Sequence, residues 1–125
     1  MTAYDQFATR FKALAHPVRL QILDLLRGGD ACVCHLETAL GKRQAYISQQ
    51  LMALREAGLV DFHKDGLQVF YRLTDRATED LLRVAFGAVS APRARRLDGC
   101  PCPRCTAPEP IEFHETNPGE PHAHH

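Results

Sequence analysis

Two groups of side chains in this chain have types and spacings that do chemistry. The first is sulfur: Cys32 and Cys34 stand two residues apart, and Cys100, Cys102 and Cys105 form a second cluster interleaved with Pro101 and Pro103. Thiolates bind soft and borderline ions and exclude hard ones such as Mg and Ca. They also exchange with disulfides and ligate haem iron. The second group is polar and basic: Lys42, Arg43, Gln44, Tyr46, Ser48, Gln49 and Gln50 follow in close order, with Arg55, Lys64 and Arg72 further on. Amides, hydroxyls and cations at helical spacing suit base edges and phosphates.

The spacing of the first pair constrains how it works. On a strand, residues i and i+2 point to one side, so one ion can hold both sulfurs. Inside a helix they lie about 200° apart around the axis, and one ion cannot easily hold both. Shared coordination therefore calls for an extended or unwound entry to the helix that follows. The tail cysteines admit four roles: completing the Cys32/Cys34 site, within a chain or across a dimer; holding a second ion; forming a redox-sensing disulfide; or ligating haem through the Cys-Pro pairs. Cys32 or Cys34 singly also suits a small buried apolar position. His114, His122, His124 and His125 suit a weak zinc or nickel sink; His35, beside Cys34, is an optional further ligand but is expected to face solvent, and His16 is expected to be structural. A thiol enzyme would need a base and oxyanion donors around a reactive cysteine, and no such arrangement is legible. The chain is not expected to be an enzyme.

The elements that must carry these residues follow from apolar periodicity. Phe7, Phe11 and Leu14 predict a helix over residues 5–15, and His16-Pro17 breaks it and starts a second one carrying Leu20, Ile22, Leu23 and Leu26. Gly28 and Gly29 end that helix. Residues 30–33 predict a short strand leading into a helix with Val33, Leu36 and Leu40 inward, closed by Gly41. After a polar turn, Ile47, Leu51 and Leu54 mark the next helix, stopped by Gly58. Two β-rich runs, 59–63 and 67–73, flank Asp65-Gly66 and predict a hairpin. Thr74 or Asp75 caps a last helix from Arg76 to about residue 91, with a wide stripe of Leu81, Leu82, Ala85, Phe86, Ala88 and Val89. The expected fold is mainly α with a small β-hairpin, a winged helix-turn-helix over residues 1–92, followed by a Cys/Pro/His-rich tail over 93–125 with little regular structure. So apolar a last helix in so small a domain predicts a homodimer, sealed by the last helix against the first.

Charge agrees with this division. The 125 residues carry no formal net charge, but the four glutamates of residues 106–125 leave 15 basic and 11 acidic side chains in residues 1–105, a net of +4. A mildly basic domain permits DNA binding. The absence of a membrane-length apolar run and of a signal-peptide layout predicts a cytoplasmic protein with no membrane partner, where clustered cysteines bind metal or sense redox state rather than form structural bridges.

Four phrases, Ala15-His16-Pro17-Val18-Arg19-Leu20-Gln21-Ile22-Leu23, Cys32-Val33-Cys34-His35-Leu36, residues 47–60 and residues 66–73, occur in the order and spacing of one family. Over about residues 5–90 the chain resembles the ArsR/SmtB winged-helix repressors. The resemblance implies a homodimer on an imperfect palindrome of double-stranded DNA, an operator that it leaves when a metal or metalloid binds. It further implies that Cys32 and Cys34 are thiolate ligands of the arsenic or cadmium/lead branch. Two features depart from that pattern. Glu37 stands where the arsenic type has a third cysteine, and no cysteine precedes Cys32. The missing thiolates would come from Cys100, Cys102 or Cys105. Three sulfurs suit As(III), the expected inducer, or Sb(III), and four suit Cd(II), Pb(II) or Zn(II). A repressor triggered by disulfide or polysulfide formation is the alternative. The zinc and nickel pairs of the last helix have no counterpart, since residues 75–91 lack histidine. In the DNA-reading helix, Gln49 and Gln50 are expected to pair with adenine. Lys42, Arg43, Arg55, Lys64 and Arg72 are expected on phosphates. Arg43 takes the place of a capping Ser or Thr, at a cost of about 1 kcal/mol.

Overall fold

The computed structural model describes residues 2–88. The expected tail, with Cys100, Cys102, Cys105 and the C-terminal histidines, lies outside the described residues. Five helices and three strands follow in the order α1 (Ala3–Leu14), α2 (Pro17–Leu26), β1 (Ala31–Cys32), α3 (Val33–Leu40), α4 (Gln44–Glu56), β2 (Val60–Asp65), β3 (Gln68–Leu73) and α5 (Arg76–Phe86).

Local chemistry explains the boundaries. Helix α1 starts two residues earlier than its apolar spacing predicts because Thr2 and Asp5 cap each other's backbone N–H, both at 3.1 Å. His16 caps α2 through Nδ1, which accepts from the Val18 amide at 3.2 Å, and Pro17 occupies the first turn, where its missing N–H costs nothing. Asp75, rather than Thr74, caps α5 by accepting from the Thr78 amide. Helix α5 is shorter than expected: it ends at Phe86, where Gly87 takes a φ of +87° that other residues rarely adopt.

The core forms where α2, α3 and α4 meet the sheet. Ile22, Leu23, Leu36, Ile47, Leu51, Leu54 and Leu59 are all completely buried. Such leucines and isoleucines each contribute roughly 1.5–3 kcal/mol by leaving water. The antiparallel sheet has the order β1-β3-β2, with Cys32 opposite Phe70 and His63 also opposite Phe70 on the other side. Asp65 pairs with Gln68, so Gly66 and Leu67 form the hairpin turn. Gly66 has φ of +67° while Leu67 keeps a negative-side φ, the pattern of a type II′ turn. The turn is thus Gly-Leu, one residue later than the Asp-Gly signal suggests. The architecture is a winged helix-turn-helix: α3 and α4 form the motif and β2–β3 the wing.

An apolar surface remains uncovered. Tyr4, Phe7 and Phe11 on α1 and Leu81, Val84 and Phe86 on α5 are exposed, and Arg10 of α1 reaches Asp75 at the start of α5 at 3.9 Å. Six large apolar side chains exposed on two helices linked in this way mark a candidate surface for burial against a partner.

Candidate DNA interface and thiol site

Helix α4 stands on α3 through Ile47, Leu51 and Leu54, which turns positions 45, 49 and 52 outward. Lys42, Arg43, Gln44 and Gln49 are exposed, as expected of groups offered to a partner. Arg43 makes no side-chain cap to α4, so its guanidinium is not committed to the helix start. Ser48 is half-buried, and Tyr46 is half-buried against the core.

Gln50 corrects the sequence reading. Its side chain is buried, and its Oε1 accepts from Arg19 Nε at 2.9 Å, tying α4 to α2. A side chain held inward in this way is not presented on the outer ridge of α4. The outward ridge instead includes Ala45 and Met52, which the sequence reading passed over; Met52 is 61% exposed. Their signal was present in the sequence, since 45, 49 and 52 follow i, i+4, i+7 on the face opposite Ile47, Leu51 and Leu54. Methyl and thioether groups there suit the 5-methyl of thymine.

Arg55 lies near the end of α4, with its guanidinium 4.2 Å over the Phe62 ring and Nε 3.9 Å from Asp61. It bolts the helix to the wing while staying half-exposed. Lys64 near the wing tip and Arg72 on β3 are exposed. The structure thus presents two projections, the α4 ridge and the wing, with cations on both.

The thiol pair sits at the strand-to-helix junction. Cys32 ends β1 with extended backbone (φ −87°, ψ 166°) and serves as the α3 N-cap residue, while Cys34 lies in the first turn. This mixed geometry brings the two sulfurs within 3.1 Å of each other. Neither the pure strand nor the pure helix describes it: the bend between them aims both thiols together. Cys32 is buried, whereas Cys34 is half-buried and lines a groove of about 500 Å³ that runs between α3, the start of α4 and the wing. Among the described residues, no group of three Cys, His, Asp or Glu is gathered closely enough to hold an ion. The pair therefore fits two positions of a thiophilic centre. His35 corrects an expectation as well: it is buried, not solvent-facing.

The junction is also tied to the wing. Asp30, two residues before Cys32, meets His63 Nε2 at 2.9 Å, and the His63 ring stacks on Phe70 at 5.8 Å. Phe70 is the residue opposite Cys32 in the β1–β3 ladder. One backbone ladder and one side-chain bond thus connect the thiol junction with the wing.

Comparison with known proteins agrees with this architecture. The family model described as "Bacterial regulatory protein, arsR family" matches residues 16–61, which hold α2 through the start of β2. The biofilm growth-associated repressor of Agrobacterium fabrum is 40% identical over 87 residues, covering 70% of this chain and 74% of its own. The homodimeric winged helix-turn-helix DNA-binding domain of Mb0332 from Mycobacterium bovis superposes with a TM-score of 0.62 at 38% identity, covering 66% of this chain and 76% of that one. Reduced HlyU from Vibrio cholerae gives a TM-score of 0.62 at 33% identity, covering 68% and 93%. The first two of these relatives are described as a repressor and a DNA-binding domain, not as enzymes. The protein belongs to the ArsR family of bacterial regulatory proteins.

Proposed function

We propose that the protein is a dimeric DNA-binding repressor that leaves its operator when a thiophilic metal or metalloid, As(III) first among them, binds Cys32 and Cys34. The observation that carries this reading is the 3.1 Å approach of the two sulfurs at the entry of the first motif helix, on a strand laddered to the wing. Gln44, Ser48 and Gln49, with Ala45 and Met52, read bases. Lys42, Arg43, Arg55, Lys64 and Arg72 meet phosphates, and Tyr46 and Gln50 position the helix. The exposed faces of α1 and α5 seal the dimer, which sets two α4 helices on the half-sites of an imperfect palindrome. One or more of Cys100, Cys102 and Cys105 supplies the third thiolate for arsenic or antimony, or the further ligands for Cd(II), Pb(II) or Zn(II). Acting on DNA, with no helix among the described residues long and apolar enough to cross a membrane, it works in the cytoplasm.

Coupling requires that the ion-loaded shape bind DNA worse than the empty one, by about 1–3 kcal/mol in such systems. Footprinting on the protein's own promoter region, with arsenite, Cd(II), Pb(II) and Zn(II) titrated in, tests the reading. Protection of two half-sites that is lost on adding arsenite is expected. Failure to protect any DNA at low salt contradicts it.

A second reading makes the trigger oxidative. The 3.1 Å approach of two thiols not joined in a disulfide favours it, and one structural relative is described specifically in its reduced form. Mass spectrometry after persulfide treatment separates the two: added sulfur or a disulfide, with operator release in the absence of metal, supports the oxidative trigger.

A further inference from the structure

We infer that Arg19 is a positioning residue that holds α4 at a fixed angle to the dimer seam, and so sets the half-site spacing that the dimer accepts. This deepens the proposed function and rests on its reading of the protein as a dimer on paired half-sites. The inference starts from one side chain of α2 bonded to both α1 and α4. Arg19 Nε donates to Gln50 Oε1 on α4 at 2.9 Å, and Nη1 makes a long bond of 3.5 Å to the Ala13 carbonyl of α1. Helix α1 carries the exposed Tyr4, Phe7 and Phe11, and α4 carries the exposed Ala45, Gln49 and Met52. One guanidinium thus spans from the helix offered to a second subunit to the helix offered to DNA.

Sequence chemistry places both acceptors. Ala13 lies in the last turn of α1, where carbonyls lose their intrahelical donors. The residue four positions on, whose N–H would continue the ladder, is Pro17, and proline has none to give. Arg19 follows two residues later in the first turn of α2, within reach back across the break, and its charge suits the negative end of the α1 dipole. Gln50 is buried on the inner side of α4, so its amide oxygen needs a donor from the protein.

Directional bonds matter here because apolar packing leaves the helix angle loosely defined. Ile47, Leu51 and Leu54 hold α4 by burial, which has no preferred direction. A guanidinium offers its donors in a rigid fork, and a hydrogen bond weakens steeply as it bends. Arg55 ties the far end of α4 to Phe62 and Asp61 of the wing, which relates the helix to the wing and not to α1. In a two-fold dimer any tilt of one α4 is repeated by the other, so the separation of the pair changes. Each base pair added between half-sites shifts them by about 3.4 Å and turns them by about 35°. A tie that fixes α4 against the seam therefore selects the spacing.

The test uses the full chain and three duplexes made from the footprinted operator, one with its natural half-site spacing and two with one base pair added or removed, read by fluorescence anisotropy. The unaltered protein is expected to favour the natural spacing by about tenfold or more. Arg19→Met/Gln50→Met replaces both partners by apolar groups of similar length, the change that costs least stability because neither is left unpaired. That variant should lose about tenfold on the natural spacing, the lower end of what a bond to a charged group supplies, and less than about twofold on the shifted duplexes. Gln50→Glu keeps an acceptor for Arg19 and should keep the spacing preference within about twofold. An equal loss on all three duplexes in the Met/Met variant overturns the proposal, because the tie is then merely structural. An undiminished preference there, or a lost one in Gln50→Glu, overturns it too. So does a salt slope reduced by about one per half-site, which would put Arg19 on a phosphate. Binding of the unaltered protein without any spacing preference overturns this proposal alone, whereas failure to bind any duplex overturns the repressor reading and this proposal with it.

Discussion

Gln49 and Gln50 are neighbours of identical chemistry, and the structure places them on opposite faces of α4, Gln49 exposed and Gln50 buried. In Gln50→Ala, Arg19 loses the acceptor that it meets at 2.9 Å. A hydrogen bond to a charged group contributes about 1.5–3 kcal/mol. Arg19 is only half-buried and keeps a long 3.5 Å bond to the Ala13 carbonyl, so water can replace part of what is lost and the lower end applies. A loss of about 1.5 kcal/mol lowers Tm by roughly 6–12 °C in a domain of this size. Gln49→Ala removes an exposed side chain and should change stability by less than about 0.5 kcal/mol. Its effect belongs to DNA: a loss of about 1–3 kcal/mol at half-sites that place adenine under it. Differential scanning fluorimetry at one fixed protein concentration and anisotropy titration against the operator measure the two quantities. A Gln50→Ala protein with unchanged Tm and an operator defect matching that of Gln49→Ala would refute the division of the helix into an inner and an outer face.

Three other outcomes are expected. Phe7→Glu with Phe11→Glu, both placed on the uncovered α1 face, should yield a folded monomer by sedimentation equilibrium and a large loss of operator affinity; a persistent dimer would move the seam elsewhere. Lys42→Ala or Arg43→Ala should weaken binding to all sequences alike and reduce the salt slope by about one per half-site, so a sequence-selective defect would contradict their phosphate role. His63→Ala removes the tie to Asp30; because that pair is about one-third exposed, loss of the tie itself should lower global stability by less than about 1 kcal/mol, while amide exchange rises at residues 31–32 and 60–73. Unchanged exchange there would show that the ladder alone holds the junction.

The order of elements was legible because apolar spacing dominates it: Ile47, Leu51 and Leu54 define α4 as clearly in the sequence as in the core. What escaped depended on partners far along the chain. Gln50 lies three residues beyond Ile47 and four before Leu54, on the inner face, yet its acceptor role rests on Arg19, 31 positions away. Amide chemistry pointed to adenine and geometry overruled it. His35 was read from polarity alone, whereas α3 turns it inward. The end of α5 was set by the backbone of Gly87, which the apolar stripe of Phe86, Ala88 and Val89 concealed. The requirement for an extended entry beside Cys32 could be argued from the two-residue spacing. The realised geometry, an extended cap followed by a first helical turn, depends on β1 pairing with β3 some 40 positions later.

The central claim is that the thiol pair sets DNA occupancy, and one thermodynamic cycle tests it most directly. Operator affinity is measured with and without saturating arsenite, for the unaltered chain and for Cys32→Ser/Cys34→Ser. Arsenite should weaken the unaltered protein about 5–150-fold, the range that a coupling of 1–3 kcal/mol gives. The double variant should bind the empty operator normally and change by less than about twofold. A double variant that still responds in full would contradict the account.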